Sequence, residues 1–409
     1  MQIAAKSKVS ASLRRPDLRH AYAALAAILA FVCVAASAPT PLRVGTSGDY
    51  SPFTIEADGR RSGFDVDVMQ EIAPALGRPL DFVAFRWPDL SEQTRRATFD
   101  LVASGVTIRP ERALLGRFTR PYAVSEAVVL VGPAKADSFR TITDVDREDV
   151  RICVNGGGYL EHVARSSFQR AKIVTVADNR LQEHLARGDC DVLVSESIEA
   201  RYLPPLTRVG SLSRDRKAIF VPTQLVGGGD SQQLFTFVDR WLSEQNREVE
   251  ALRVKWFRGE SQLDDAGEHV EAIAALIDQR SGLAPWIAAA KRATGQPIED
   301  VEREKKVLAG AAERARHARL SEEKVVALYR ALIEESKDIQ RAAPPIESDV
   351  TLDALRTVLN DLDDRLIAEL AASRDLDAKA RERLRADIDA LNWPGLTLER
   401  KREIAQALL

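Results

Sequence analysis

The residues with the most chemistry lie towards the C-terminal end of the chain. Arg280 and Lys291 are eleven residues apart, three helical turns, so both side chains leave one face of a helix. Pro285 stands between them and removes one backbone bond, which kinks that helix and makes the alignment approximate. Asp300, Arg303 and Glu304 follow at i, i+3 and i+4 on the first turns of a second helix, and Ser336 and Gln340 repeat the i, i+4 spacing on a third. Fixed cations beside a hydroxyl and an amide suit a small dianion better than they suit a protein surface. Any one of these residues alone reads as part of a solvated helix face. The joint pattern does not.

These helices belong to a region that is helical from about residue 270 to the end, broken clearly only at AAPPIESD, Ala342 to Asp349. Before it the chain alternates strand and helix. LRVGT, LDFVAF and DLVASG read as strands, with DVDVMQEIAPALG and LSEQTRRAT as helices. After VLVGP a second series begins, in which VRICVN, KIVTVA, DVLVSE and KAIFVP are strands and YLEHVARSSF and NRLQEHLARG are helices. Apolar strands interleaved with amphipathic helices predict parallel-rich sheets covered on both faces. Breaks near residues 130 and 224 predict two lobes, with QQLFTFVDRWLSEQNREVEALRVKWF returning to the first. GESQLDDAG, Gly259 to Gly267, reads as a polar linker.

The chain has 409 residues, room for two or three domains, and its 45% hydrophobic content supports packed cores. A net charge of −3, without a basic cluster in the body of the chain, argues against a nucleic-acid partner. Lys6, Lys8, Arg14, Arg15 and Arg19, against Asp17, precede an uncharged run from Ala21 to Ala38 that ends in Ala-Ser-Ala. This is the pattern of an export signal cleaved after Ala36 or Ala38, which leaves a mature chain with no stable membrane association. An uncleaved anchor is the other reading, although 18 residues is marginal for a span. Cleavage removes a charge of +4 and leaves the mature protein near −7. Cys153 and Cys190 then remain, each at a strand start, either as a disulfide in an oxidising compartment or as two buried thiols. The five histidines show no ligand spacing, so neither metal nor cofactor is expected.

The C-terminal spacing resembles the all-helical chorismate mutases, whose site has Arg, Lys eleven on, D-x-x-R-E and then S-x-x-x-Q. All seven positions are filled, by Arg280, Lys291, Asp300, Arg303, Glu304, Ser336 and Gln340. Intracellular members borrow a further Arg from a partner's N-terminal helix. The secreted subclass takes it from a later helix of its own chain, where Arg356 stands here. The resemblance implies that Arg280, Arg303 and Arg356 bind two carboxylates. Lys291 and Gln340 then donate to an ether oxygen, and Glu304 accepts from a hydroxyl. Gln340 is neutral, so activity should not require acid pH.

LRVGTSGDYSPFTIEADGRRSGFDVDVMQEIAPALG resembles the opening of family 3 periplasmic solute-binding proteins, which hold a ligand in a cleft between lobes. SGVTIRPER resembles that family's carboxylate-binding loop, with a hydroxyl from Thr107 and a bidentate clamp from Arg112. Asp65 and Asp67 are expected only to cap a helix. FRWPDL, VNGGGYLEHVAR and VSESIEARY resemble cyclohexadienyl dehydratase, an enzyme built on this fold that aromatises prephenate or arogenate by loss of water and CO2. Expelling hydroxide needs a positioned acid with a raised pKa, and the resemblance gives that role to Glu199. It gives binding roles to Asp49, Trp87, Ser104, Thr107, Arg112, Asn155 and Glu196, with Trp87 packing on the ring and keeping water from the acid. Three positions depart from the family: its lysine shortly after Pro-Tyr is Ala127 here, the Asp that meets an α-amino group is Glu196, and Tyr159 replaces a small residue.

The fold expected is multidomain: an export signal over 1–38, a two-lobed α/β periplasmic-binding-protein-like domain over 39–260, a linker over 261–269 and an all-α mutase domain over 270–409. The lobes are expected at about 40–130 with 224–258, and at about 131–223. The ligands implied are chorismate and prephenate, with arogenate the less favoured, and the oligomeric state is left open, a homo-oligomer included. The competing readings are a non-enzymatic receptor carrying a mutase, and a helical half that only oligomerises.

Overall fold

The computed structural model describes residues 39–177, 179–223, 229–259 and 263–409. The export segment and its cleavage point lie outside the described residues, as does the start of the expected linker. Among the described residues no helix is long and apolar enough to cross a membrane.

Two five-stranded sheets form the lobes. The first has the order β5 (Leu80–Ala84), β1 (Leu42–Thr46), β6 (Leu101–Val102), β13 (Phe220–Pro222), β7 (Gly116–Phe118). Its first three strands are parallel, and β13 runs antiparallel to both neighbours. A small meander, β2 (Asp49–Tyr50), β3 (Thr54–Ala57) and β4 (Arg60–Ser62), leads from β1 into helix α1 (Phe64–Ala75). Gly63 makes that entry possible. Its φ is 131°, and a Cβ there would lie 2.3 Å from the Phe53 carbonyl oxygen. Phe64 N and Asp65 N then donate to the carbonyls of Pro52 and Phe53, which replaces a side-chain cap.

The second sheet has the order β10 (Lys172–Val176), β9 (Arg151–Asn155), β11 (Val192–Glu196), β8 (Ala123–Val131), β12 (Thr207–Lys217). β8 runs antiparallel to β11 and β12, so both sheets are mixed. The chain crosses between lobes earlier than the sequence suggests. Apolar β8 already belongs to the second sheet from Ala123, and the return comes at Ala218–Ile219, just after β12. The stretch KAIFVP is therefore no single strand: Lys217 closes β12, and Phe220 opens β13. Cys153 and Cys190 are joined as a disulfide, with Cα atoms 5.7 Å apart.

The returning segment forms α8 (Gly229–Glu244) and α9 (Asn246–Phe257). α9 ends by burying Phe257 among Phe53 and Phe64, with ring centroids 5.4 and 4.6 Å apart. That aromatic core ties the C-terminal end of the two-lobed domain to its first lobe.

The helical domain comprises α10 (Asp265–Gly282), α11 (Ala284–Thr294), α12 (Val301–His317), α13 (Glu322–Ala342), α14 (Leu352–Ala372), α15 (Ala378–Ala390) and α16 (Leu398–Leu408). Asp264, Asp300, Ser321, Thr351, Asp377 and Thr397 each accept a bond from the backbone three residues on, so the sequence sets most of the helix starts. The linker is shorter than expected, because Asp264 caps α10 and residues 265–269 are helical. Pro285 does more than kink: Leu283 ends one helix, and Pro285 opens the next in its first turn, where its missing N–H costs nothing.

This domain docks on the two-lobed one through buried charge. Arg214 and Arg216 of β12 both reach Glu271, which is 1% exposed, and Arg216 also meets Asp387 at 3.0 Å. Arg117 bonds Asp361 at 2.8 Å, and Arg365 donates to the Phe118 carbonyl at 2.6 Å. At Gly282, a Cβ would lie 2.2 Å from Pro110, the first residue of the short helix α3 (Pro110–Ala113). Only glycine allows that approach.

Candidate functional sites

Two cavities gather the ionisable groups. The first is the cleft, about 490 Å³, between the lobes. Arg112 reaches it from α3, with one guanidinium nitrogen donating to the Thr107 carbonyl at 3.1 Å and its Cζ 6.0 Å from the Trp87 ring centroid. Burial, and then the charge of Arg109, push its pKa down to about 10, so it stays charged at neutral pH. Its loop is held from beneath by Asp65, which is fully buried and accepts from Gly105 N at 2.5 Å and from the Tyr122 hydroxyl at 3.0 Å. Asp65 is thus no simple cap. Asp67 instead accepts from Lys255 and from the Trp256 indole, both at 2.7 Å.

Glu199 sits in the four-residue helix α7 (Ser197–Ala200), directly after β11, and is 5% exposed. The Ser195 hydroxyl donates to one carboxyl oxygen and the Asn179 amide to the other, both at 2.6 Å. Burial dominates and pushes its pKa up to about 7. Ser195 opposes the rise, Glu196 adds to it, and Asn179 and Lys217 pull it back. Of the residues given roles by resemblance, Trp87, Thr107, Arg112, Asn155, Glu196 and Glu199 line the cleft.

Two predicted residues do not. Ser104 is wholly buried behind the wall, where its hydroxyl is 2.9 Å from those of Ser47 and Thr54. Asp49 is exposed and enters through its backbone, its carbonyl accepting from Asn179 at 3.1 Å.

The cleft also contains residues that the sequence reading missed: Tyr50, Asn179 and above all Lys217. Lys217 is 0% exposed, and its ammonium donates to Glu196 and, at 2.6 Å, to the Thr107 hydroxyl, with Asp215 at 3.3 Å. Burial depresses its pKa, but Asp215 and Glu196 outweigh that and leave it raised, so it is an ammonium. The signal available in the sequence was the alternation Asp215, Lys217 at the end of a strand, which places both on one face. Tyr159 narrows the cleft and donates to Ser213 at 3.0 Å.

The second cavity, about 770 Å³, lies within the helical domain. Arg280, Lys291, Asp300, Arg303, Glu304, Ser336, Gln340 and Arg356 all line it, drawn from α10 to α14 of one chain. Arg280 is buried and held by Asp363 at 3.1 Å and by the Leu332 carbonyl at 3.2 Å. Lys291 donates to the Ile298 carbonyl at 2.5 Å, and its pKa is lowered by burial, against the pull of Asp300 and Glu304. Gln340 donates to Ser336 at 3.0 Å, while its own oxygen is buried without a hydrogen-bond partner. Asp300 caps α12 through Arg303 N at 3.0 Å, which sets the direction of Arg303. Arg356 pairs with Asp353 at 2.9 Å. Lys337, unanticipated, stands 3.4 Å from both oxygens of Glu304.

Two lobes of mixed sheet with a cleft between them are the architecture of a solute-binding domain, here with a buried acid in its cleft and a helical domain with a charged cavity joined to it. The chain belongs to the bacterial extracellular solute-binding proteins, family 3, matched over residues 42–259. Residues 271–341 match chorismate mutase type II, so the chain is a fusion of the two. Among similar proteins, the cyclohexadienyl dehydratase of Pseudomonas aeruginosa is 34% identical over 162 residues, 39% of this chain and 60% of that enzyme. The ABC transporter arginine-binding protein 1 of Escherichia coli is 34% identical over 152 residues, 37% of this chain and 60% of that protein. The chain thus spans about 60% of the length of these relatives. A crystal structure of an ancestral amino acid-binding protein, described as a precursor of cyclohexadienyl dehydratase, is 30% identical, with a TM-score of 0.49 over 53% of this chain and 95% of that one.

Proposed function

We propose that this chain is an exported, periplasmic enzyme that carries out two consecutive reactions, chorismate to prephenate and prephenate to phenylpyruvate. The observation that carries the reading is the convergence of eight side chains, chosen by spacing and resemblance, on one cavity of the helical domain. The first reaction is an intramolecular rearrangement that needs no nucleophile. The cavity's work is to hold the dianion compact, with Arg280, Arg303 and Arg356 on the carboxylates, Glu304 accepting from the ring hydroxyl, and Lys291 and Gln340 donating to the ether oxygen as charge develops there.

The product then meets a cleft suited to consuming it. Arg112 and Thr107 hold the side-chain carboxylate. Glu199, protonated in part at neutral pH, passes its proton to the departing ring hydroxyl, which leaves as water. The bond to the ring carboxylate breaks, CO2 leaves, and that electron pair completes the aromatic ring. Trp87 packs on the ring and limits water. The similarity to a dehydratase favours this reading over simple solute binding.

Incubating the purified mature protein with chorismate, without added metal or cofactor, and following products over time tests it. Transient prephenate followed by phenylpyruvate supports both steps. Prephenate that accumulates and stops reduces the two-lobed half to a binding module, and no consumption of chorismate defeats the proposal.

A further inference from the structure

We infer that Lys217 is the specificity-determining residue of the cleft, selecting an aromatic 2-oxo acid over the corresponding 2-amino acid. This rests on the reading of the cleft as a site for such acids, but not on turnover there.

Thr107 and Arg112 fix where a ligand's carboxylate lies, and its α-substituent must fall beside them. Glu196 lines the cleft with Thr107 and Arg112 and is an acid that an ammonium there could meet. One of its oxygens is already engaged. The Lys217 ammonium donates to one of its oxygens and also to the Thr107 hydroxyl, 2.6 Å away. The contact is built in, because Lys217 pairs with Thr107 as an isolated antiparallel bridge, and the backbone of Ile108 donates to the Arg216 carbonyl at 2.9 Å. The last residue of β12 is therefore clipped to the carboxylate-binding loop. Ala127, where the family carries a lysine, pairs in register with Glu196, so the cation that reaches this carboxylate comes from the neighbouring strand instead.

An α-ammonium placed there would approach a buried like charge at a few ångströms, where the low dielectric leaves repulsion poorly screened. A carbonyl oxygen at the same place would accept from it. The opposing charges are Glu196, whose second oxygen is buried without a hydrogen-bond partner, and Asp215, whose two oxygens are likewise without one although Lys217 lies 3.3 Å from the first. Removing Lys217 would leave these two acids facing the α-substituent, and the preference should then reverse.

Phenylpyruvate and L-phenylalanine share a skeleton and differ only at that atom. Calorimetric titration of the full chain with each should give at least tenfold tighter binding of phenylpyruvate. In Lys217→Met the ratio should move at least tenfold towards phenylalanine. Because that variant buries two unpaired acids, Lys217→Met with Asp215→Asn keeps a single carboxylate and should shift the ratio in the same direction. Wild-type protein that prefers phenylalanine, that binds neither compound, or whose ratio is unmoved in the folded variants overturns the inference. If prephenate is never turned over but these ratios hold, the dehydratase reading fails and the selectivity stands.

Discussion

Glu199 gives the sharpest test of the dehydratase step. Its carboxyl rises from the usual 4.5 to about 7, which corresponds to about 3 kcal/mol of bias towards the neutral acid at roughly 1.4 kcal/mol per pH unit. If it is the proton donor, kcat/KM for prephenate should be flat below about pH 7 and fall close to tenfold per pH unit above it. The same bias has a stability consequence of fixed sign. The folded protein holds this proton more tightly than the unfolded chain does, so its contribution is complete below about 4.5 and is lost as the pH climbs through 7. Asp65 and Asp215 are also raised to about 7 by burial, so a pH profile alone does not identify the group. Ser195 does. Its hydroxyl donates to Glu199 and steadies the carboxylate; a hydrogen bond to a charged group is worth about 1.5–3 kcal/mol. Ser195→Ala should therefore move the alkaline limb up by about one pH unit or more, and Glu199→Gln should cost about 10²–10⁴ in rate. Phenylpyruvate formation, followed by absorbance from pH 5 to 9, reads all three proteins. An alkaline limb that does not shift in Ser195→Ala, or substantial activity in Glu199→Gln, would refute the assignment.

Lys291→Met should lower chorismate turnover by about 10²–10³, as expected for loss of one donor to a developing oxyanion, while prephenate turnover in the same preparation is unchanged. Gly282→Leu should push α10 off Pro110 and so displace the helix bearing Arg112, raising KM for prephenate. A KM equal to wild type would show that the contact can relax without moving Arg112. Reduction of Cys153–Cys190, which closes a 37-residue separation, should cost about 3–4 kcal/mol by the loop-entropy estimate, visible as a lower melting temperature with a reductant present.

The helical site was the more legible of the two because helix periodicity converts spacing directly into direction. Arg280 and Lys291 remain on one cavity although Pro285 splits their helix in two, since the break is the single residue Leu283, whose own backbone is right-handed helical. Asp300 shows the limit of that reading. It lines the cavity, yet its carboxylate is occupied in capping α12, a role that spacing cannot separate from ligand binding. Lys337 escaped because it is one residue out of phase with the pair Ser336 and Gln340, yet it lines the cavity beside Glu304 of another helix.

The cleft was less legible because its side chains come from loops and strand ends, where direction depends on the backbone path. Ser104 and Thr107 lie three residues apart in one loop, but Ser104 turns inward to Ser47 and Thr54 while Thr107 faces the ligand space. β12 was missed altogether, as TRVGSLSRDRK has no run of apolar residues. It is an edge strand whose two faces meet two different polar environments: Arg214 and Arg216 turn to Glu271 of the mutase domain, and Lys217, with Asp215 beside it, turns to the cleft. The period of two is intact, with charge on both sides. A strand of this composition would be unstable in isolation. It persists here because Arg214 and Arg216 are met by Glu271, and Lys217 by Glu196 and Thr107, all supplied by other parts of the chain, so it could be recognised only once both domains were in view.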